Sequence, residues 1–111
     1  MGSAQPRITA QTLRVLTAVL SRPQEQIYGL EIVRSASLAS GTVYPVLARL
    51  ELAGWLTSEW EAVDPAIVGR PKRRVYRLTA LGEAEARAIL AEYQRVLFPF
   101  EVPADTGVVM A

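Results

Sequence analysis

The sequence predicts a mainly α domain with a small β-hairpin, an α+β fold, and three observations carry that prediction. Apolar residues recur at helical spacing over residues 8 to about 21, 40–52 and 79–97. Between the last two stretches the period drops to two, over residues 56–61 and 75–78, as in paired strands. Asp64-Pro65 and Gly69-Arg70-Pro71 punctuate the segment between those strands, which makes them the arms of a long-looped hairpin.

The chain of 111 residues fits one domain with a real core, and its mixture of 50% apolar and 21% charged residues is ordinary for a globular protein. A net charge of +1 gives no global basic signal, so any argument for nucleic acid rests on local charge. With no cysteine and no histidine, thiolate chemistry, disulfides and the commonest metal ligand and general base are absent. No metal site and no cofactor are expected. No apolar run approaches the length of a membrane span and no charged leader precedes an apolar segment, so the expected location is the cytoplasm, with no membrane partner.

The first helix takes Thr9 as its cap and stops before Pro23. Ile8, Leu13, Val15, Leu16, Val19 and Leu20 cover roughly 160° of its circumference, against about 100° for a helix facing one core. Two explanations stay open: deep burial in its own domain, or contact with a second subunit through Leu13, Leu16 and Leu20. A short second helix spans residues 28–35, with Leu30 and Val33 at core spacing and Gly29 near its start. The link Ala36-Ser37-Leu38-Ala39 supplies Leu38 as the plug between this helix and the next.

Ser40 is the expected N-cap of the third helix, and Gly54 falls where a C′ glycine ends one. Val43, Val46, Leu47 and Leu50 share one side. Thr42, Pro45, Ala48 and Arg49 share the other, a slim, acid-free face with one long cation that suits contact with a polyanion. Pro45 lies just past the first turn, where its missing N–H predicts a tightened or bent start. Two helices joined by so short a turn make a helix-turn-helix candidate, the second being the reader.

In the hairpin, Leu56 and Trp60 fall on one side and Thr57, Glu59 and Glu61 on the other, while Tyr76 and Leu78 face inward. Trp60 and Tyr76 are expected to meet across the strands as an aromatic pair. Arg70, Lys72, Arg73, Arg74 and Arg77 crowd its tip and descending arm, with no acid among them. A reading helix followed by a cation-tipped hairpin is the layout of a winged helix, in which the helix enters the major groove and the wing grips phosphates. Arginine suits the wing because its planar fork bonds phosphate oxygens bidentately.

Thr79 caps the last helix, where Glu83 and Arg87 form an i,i+4 pair outside the apolar stripe Ala86, Ile89, Leu90, Tyr93, Val96 and Leu97. This stripe exceeds what a small domain needs, and pairing with a copy of itself would remove Ile89, Leu90, Tyr93, Val96 and Leu97 from water. Phe98 and Phe100 in the proline-containing tail are expected to dock. The resulting division is a winged helix-turn-helix over residues 7–79, a C-terminal dimerisation helix over 80–98 and a tail over 99–111.

Several of these residues together resemble one family. Tyr28-Gly29-Leu30-Glu31-Ile32, Ser40-Gly41-Thr42-Val43-Tyr44-Pro45, Leu50-Glu51, Gly54, Trp60-Glu61, Gly69-Arg70-Pro71 and Tyr76-Arg77-Leu78-Thr79 with Gly82 are similar, in order, to the PadR transcriptional regulators. The resemblance runs from about Thr12 to about Leu90. It implies a winged helix-turn-helix repressor of the short form, with a single C-terminal helix, acting as a homodimer on a two-fold-related operator in double-stranded DNA. The DNA-binding residues it implies are Ser40, Gly41, Thr42, Tyr44, Pro45 and Arg49 on the helix and Arg70, Lys72, Arg73 and Arg74 on the wing. Some members bind flat aromatic or phenolic effectors near the dimer interface. The last helix here has no tryptophan to line such a site, and Trp55 and Trp60 read as core and wing-anchoring residues.

Two other function classes set the alternatives. A winged helix used as a protein-interaction module would show little salt-sensitive affinity for any duplex. An enzyme would have to rest on Glu59, Glu61 and Asp64, which strand alternation and a turn already explain.

Overall fold

A computed structural model describes residues 5–99. The core forms where α1 (Ala10–Leu20) packs against α2 (Gly29–Ala36), α3 (Ser40–Leu52) and α5 (Ala80–Leu97). Val15 and Leu16 of α1, Ile32 of α2, Val43, Leu47 and Leu50 of α3 and Leu56 are sealed from solvent. Leu16 is therefore no subunit contact: the surplus apolar arc of α1 is used inside its own domain, because three helices surround it. Leu20 also packs against the core, leaving it half-buried, as is Leu13.

Capping fixes where most helices begin and end. Thr9 accepts from the Thr12 N–H while Thr12 returns the bond, a reciprocal box at the start of α1. Thr79 accepts from the Gly82 N–H at 2.9 Å and donates to the Gly54 carbonyl at 2.7 Å, tying the start of α5 to the end of α3. At that end Gly54 sits at φ +82°, with Gly54 N–H bonded to the Glu51 carbonyl and Trp55 N–H to that of Leu50. These are the two bonds of a Schellman stop. The cap of α3 differs from expectation: it is Ala39, with no side-chain bond, and Ser40 is already the first helical residue. The Ala39 carbonyl accepts from both Thr42 and Val43, so the first turn is tightened ahead of Pro45.

Strands β1 (Ile27–Tyr28), β2 (Leu56–Trp60) and β3 (Arg74–Leu78) form one antiparallel sheet in the order β1-β3-β2. The expected hairpin thus gains a third strand, two residues long, on the far side of β3. The loop between β2 and β3 carries one helical turn, α4 (Pro65–Val68), capped by Asp64 and closed by Gly69 at φ +75°.

Three inward assignments are corrected. Leu30 is half exposed, because Ile32 and Ala36 occupy the buried side of α2. Trp60 is 58% exposed and lies opposite Arg74, while Tyr76 lies opposite Ser58, so the two rings are not a directly opposed pair. Phe98 is exposed and Phe100 lies outside the described residues. The first half of α5 packs on the core through Gly82, Ala86, Ile89 and Leu90, whereas every residue from Ala91 to Leu97 is exposed.

Candidate nucleic-acid interface

The outer face of α3 is open. Gly41, Tyr44, Pro45, Ala48 and Arg49 are exposed and Thr42 is half-buried, while the opposite residues Val43, Val46, Leu47 and Leu50 anchor the helix. Tyr44 is held from below: a Cβ at Gly29 would stand 2.7 Å from its hydroxyl, so the ring lies directly on the start of α2. A side chain at Gly29 would therefore push Tyr44 from this seat. The α2 start is itself fixed by Glu31, which accepts from the Tyr28 N–H at 2.9 Å and pairs with Arg22. Those two donors, the backbone N–H first, hold the Glu31 carboxyl below the usual carboxylate range.

One face of the sheet is turned toward α3. Ser58 on β2 donates to Glu51 of α3 at 2.7 Å, and Tyr76 on that face is buried, which pushes its hydroxyl pKa up. Strand alternation places Trp60 and Arg74 on this same face, farther out, with the Arg74 guanidinium 5.0 Å from the Trp60 ring centre. The side chains of Tyr28, Glu59, Glu61, Val75 and Arg77 belong to the other face. There Tyr28, Glu59, Glu61 and Val75 line a trough of about 320 Å³ whose rims are joined by Gln26–Glu59 and Tyr28–Glu61 hydrogen bonds, both 3.2 Å.

The cationic run is therefore divided by the strand pleat. Arg74 points with α3. Arg73 lies over the Tyr28 ring at 5.1 Å on the other side, and Arg77 donates to the Gln24 carbonyl. Lys72 is exposed on the loop. Arg70 is turned inward, its guanidinium paired with the Glu61 carboxylate and its Nη1 also donating to the Pro71 carbonyl. The acid missing from residues 70–77 is supplied from across the hairpin. Arg70 first, then the Arg73 N–H and the Tyr28 hydroxyl, hold the Glu61 carboxyl below its ordinary range, and the Arg70 pKa is raised in return.

Sequence reasoning does not single out Trp60, Tyr28 and Glu61 as site residues. Their signals are a place in the family motifs and, for Trp60 and Glu61, strand phase, and neither shows which residues meet across a third strand. Trp55 is a core residue, 3% exposed. Among the described residues no cluster of metal-ligating side chains occurs, and no helix is long and apolar enough to cross a membrane.

Known proteins share this architecture. The Staphylococcus aureus MepR–DNA complex matches with a TM-score of 0.62 at 18% identity, covering 83% of this chain and 69% of that one. A PadR family transcription regulator from Clostridium difficile R20291 matches with a TM-score of 0.64 at 20% identity, covering 80% and 92%. In sequence, the transcriptional regulator Rv3488 of Mycobacterium tuberculosis is 48% identical over 60 residues. That stretch is 54% of this chain and 48% of the relative, so the match spans about half of each. The family model for the transcriptional regulator PadR-like family matches residues 16–88, which runs from the buried middle of α1 through the sheet to the packed half of α5, and the chain belongs to that family.

Proposed function

We propose that this chain is a sequence-specific DNA-binding regulator, a repressor, acting as a homodimer on a two-fold-related operator. The observation that carries this reading is the junction of α3 with the wing: α3, whose outer side is open, is bonded through Glu51 to the sheet face on which Arg74 lies over Trp60. On this reading one duplex touches both. Arg49 reads base edges in the major groove, where a guanidinium fork matches guanine, while Thr42, Tyr44, Lys72 and Arg74 fix register on the phosphates beside α3 and Arg73, on the opposite face of the hairpin, contributes from the far side of the wing. The fold likeness to a regulator solved with DNA supports the same docking.

Burial supports the division of the chain into a binding domain and a dimerisation helix. Residues 7–79 with the packed start of α5 form the binding domain, and the exposed Tyr93, Val96 and Leu97 on the outer half of α5 pair with a second copy. Dimer half-sites are then expected about one helical turn apart.

Selection of bound sequences from random duplexes, followed by titrations at several salt concentrations, tests the reading. Arg49→Ala should cost about 1–3 kcal/mol on the selected site and little on a scrambled one. Removing Arg73 and Arg74 together should weaken both equally and lower the salt slope by roughly 0.9 for each phosphate no longer neutralised. Equal losses on both duplexes for Arg49→Ala would overturn its reading role. Absence of salt-sensitive binding to any duplex would favour the protein-interaction module.

A further inference from the structure

Among the described residues, Glu61 is the carboxylate set among the wing cations, and a surface that grips phosphates should be better without it. The geometry says otherwise. From Glu61 to Arg73 no residue is buried, and the single turn α4 contributes nothing to the core. Ordering such a loop costs conformational entropy that no buried apolar residue within it offsets. What holds it is polar. The Glu61 carboxylate pairs with Arg70, accepts from the Arg73 backbone N–H at 3.0 Å, and accepts from the Tyr28 hydroxyl at 3.2 Å. The Glu61 N–H adds a bond to the Arg73 carbonyl at 2.9 Å. The side chain is only 9% exposed, so these bonds are shielded from water better than ordinary surface pairs.

The placement of this carboxylate relates to both stacked arginines. Tyr28, fixed through its hydroxyl, presents its ring to the Arg73 guanidinium. Trp60, the residue before Glu61, presents its ring to Arg74, the residue after Arg73. We propose that Glu61 is the positioning residue of the wing: it engages Arg70 as a brace so that Arg73 and Arg74 are held ready for phosphates, and its negative charge thereby strengthens DNA binding. Arg70 is then a structural partner of Glu61 and makes no phosphate contact. This proposal rests on the DNA-binding reading above, and its test is built to separate the two.

The first arm uses the full-length protein without DNA. Amide exchange of Arg73 should accelerate by about tenfold or more in Glu61→Ala, while α1 and α3 amides stay unchanged. Glu61→Gln, which keeps an acceptor for the Arg73 N–H, should restore part of that protection. Unchanged Arg73 exchange in Glu61→Ala overturns the clamp. The second arm titrates the selected duplex at several salt concentrations. Glu61→Ala should weaken binding by roughly 5- to 10-fold, and Arg70→Ala should do the same with no change in salt slope. The double variant should bind no worse than either single one, as expected for two groups acting as a unit. Tighter binding by Glu61→Ala, the outcome of simple charge repulsion, overturns the proposal. So does a salt slope that falls by roughly 0.9 in Arg70→Ala, the signature of a neutralised phosphate. If the unaltered protein binds no duplex, the DNA-binding reading and the phosphate role fall together, while the exchange arm still decides whether Glu61 orders the loop.

Discussion

At Gly82 a side chain has nowhere to go: a Cβ there would stand 2.0 Å from the carbonyl oxygen of Trp55. That oxygen accepts the Thr79 N–H at 3.0 Å, so neither backbone can yield without loosening the junction between α5 and the sheet. Gly82→Ala should cost about 1–3 kcal/mol through overpacking. In a thermal melt this is a drop of roughly 4–8 °C per kcal/mol for a domain of this size. An unchanged melt would show that α5 can shift outward at no cost. Gly29 faces a softer neighbour, the end of the Tyr44 side chain, so enlarging it would displace Tyr44 from its seat first. Both glycines stand among the motifs that carry the family resemblance. Their spatial reason is invisible in sequence, because Trp55 and Tyr44 are 27 and 15 residues away along the chain.

Among the elements, α3 and α5 contrast in how their starts are held. α5 has a threonine cap with two hydrogen bonds, whereas α3 begins from an extended Ala39 whose side chain caps nothing. Thr79→Ala should therefore destabilise by about 1–2 kcal/mol, as lost caps do. Ser40→Ala should stay within roughly 0.5 kcal/mol of the unaltered protein, as an exposed position does. Matched urea titrations of the two variants check this, and equal losses would restore Ser40 as the cap. The helical stretches were legible because their apolar spacing continues through about two turns or more: Val43, Val46, Leu47 and Leu50 are all buried as the spacing requires. The strand β1 and the turn α4 were not, since two and four residues are too few to display a period. Trp60 misled for a different reason. Alternation assigned it to the inner face, and it is on that face, but β2 runs past the edge of the core before reaching it, so sharing a face with Leu56 does not confer burial.

For the whole molecule, the deciding matter is where its remaining apolar surface goes. Tyr93, Val96 and Leu97 on α5 are exposed beyond the last core contact at Leu90, whereas Leu16 on α1 is sealed within the domain. Introducing charge by Val96→Glu with Leu97→Glu should convert a dimer to a monomer in sedimentation, with operator affinity falling by tenfold or more at about 1.4 kcal/mol per decade. The far-ultraviolet spectrum should remain that of a folded domain. Leu16→Ala should instead lower monomer stability by about 2–5 kcal/mol. A double glutamate variant that sediments like the unaltered protein would remove α5 from the interface. The sequence by itself determined the mainly helical class, the hairpin, the third helix with its open outer side and the family, because each rests on local periodicity, turn chemistry or a motif a few residues long. Only the tertiary structure decided that Leu16 is sealed within the domain, that Arg70 pairs with Glu61, and that Arg73 and Arg74 take opposite faces. Those outcomes depend on which elements lie side by side and on the pleat of a strand in its sheet. No spacing along the chain encodes them: burial and charge pairing are properties of neighbours brought together from far apart.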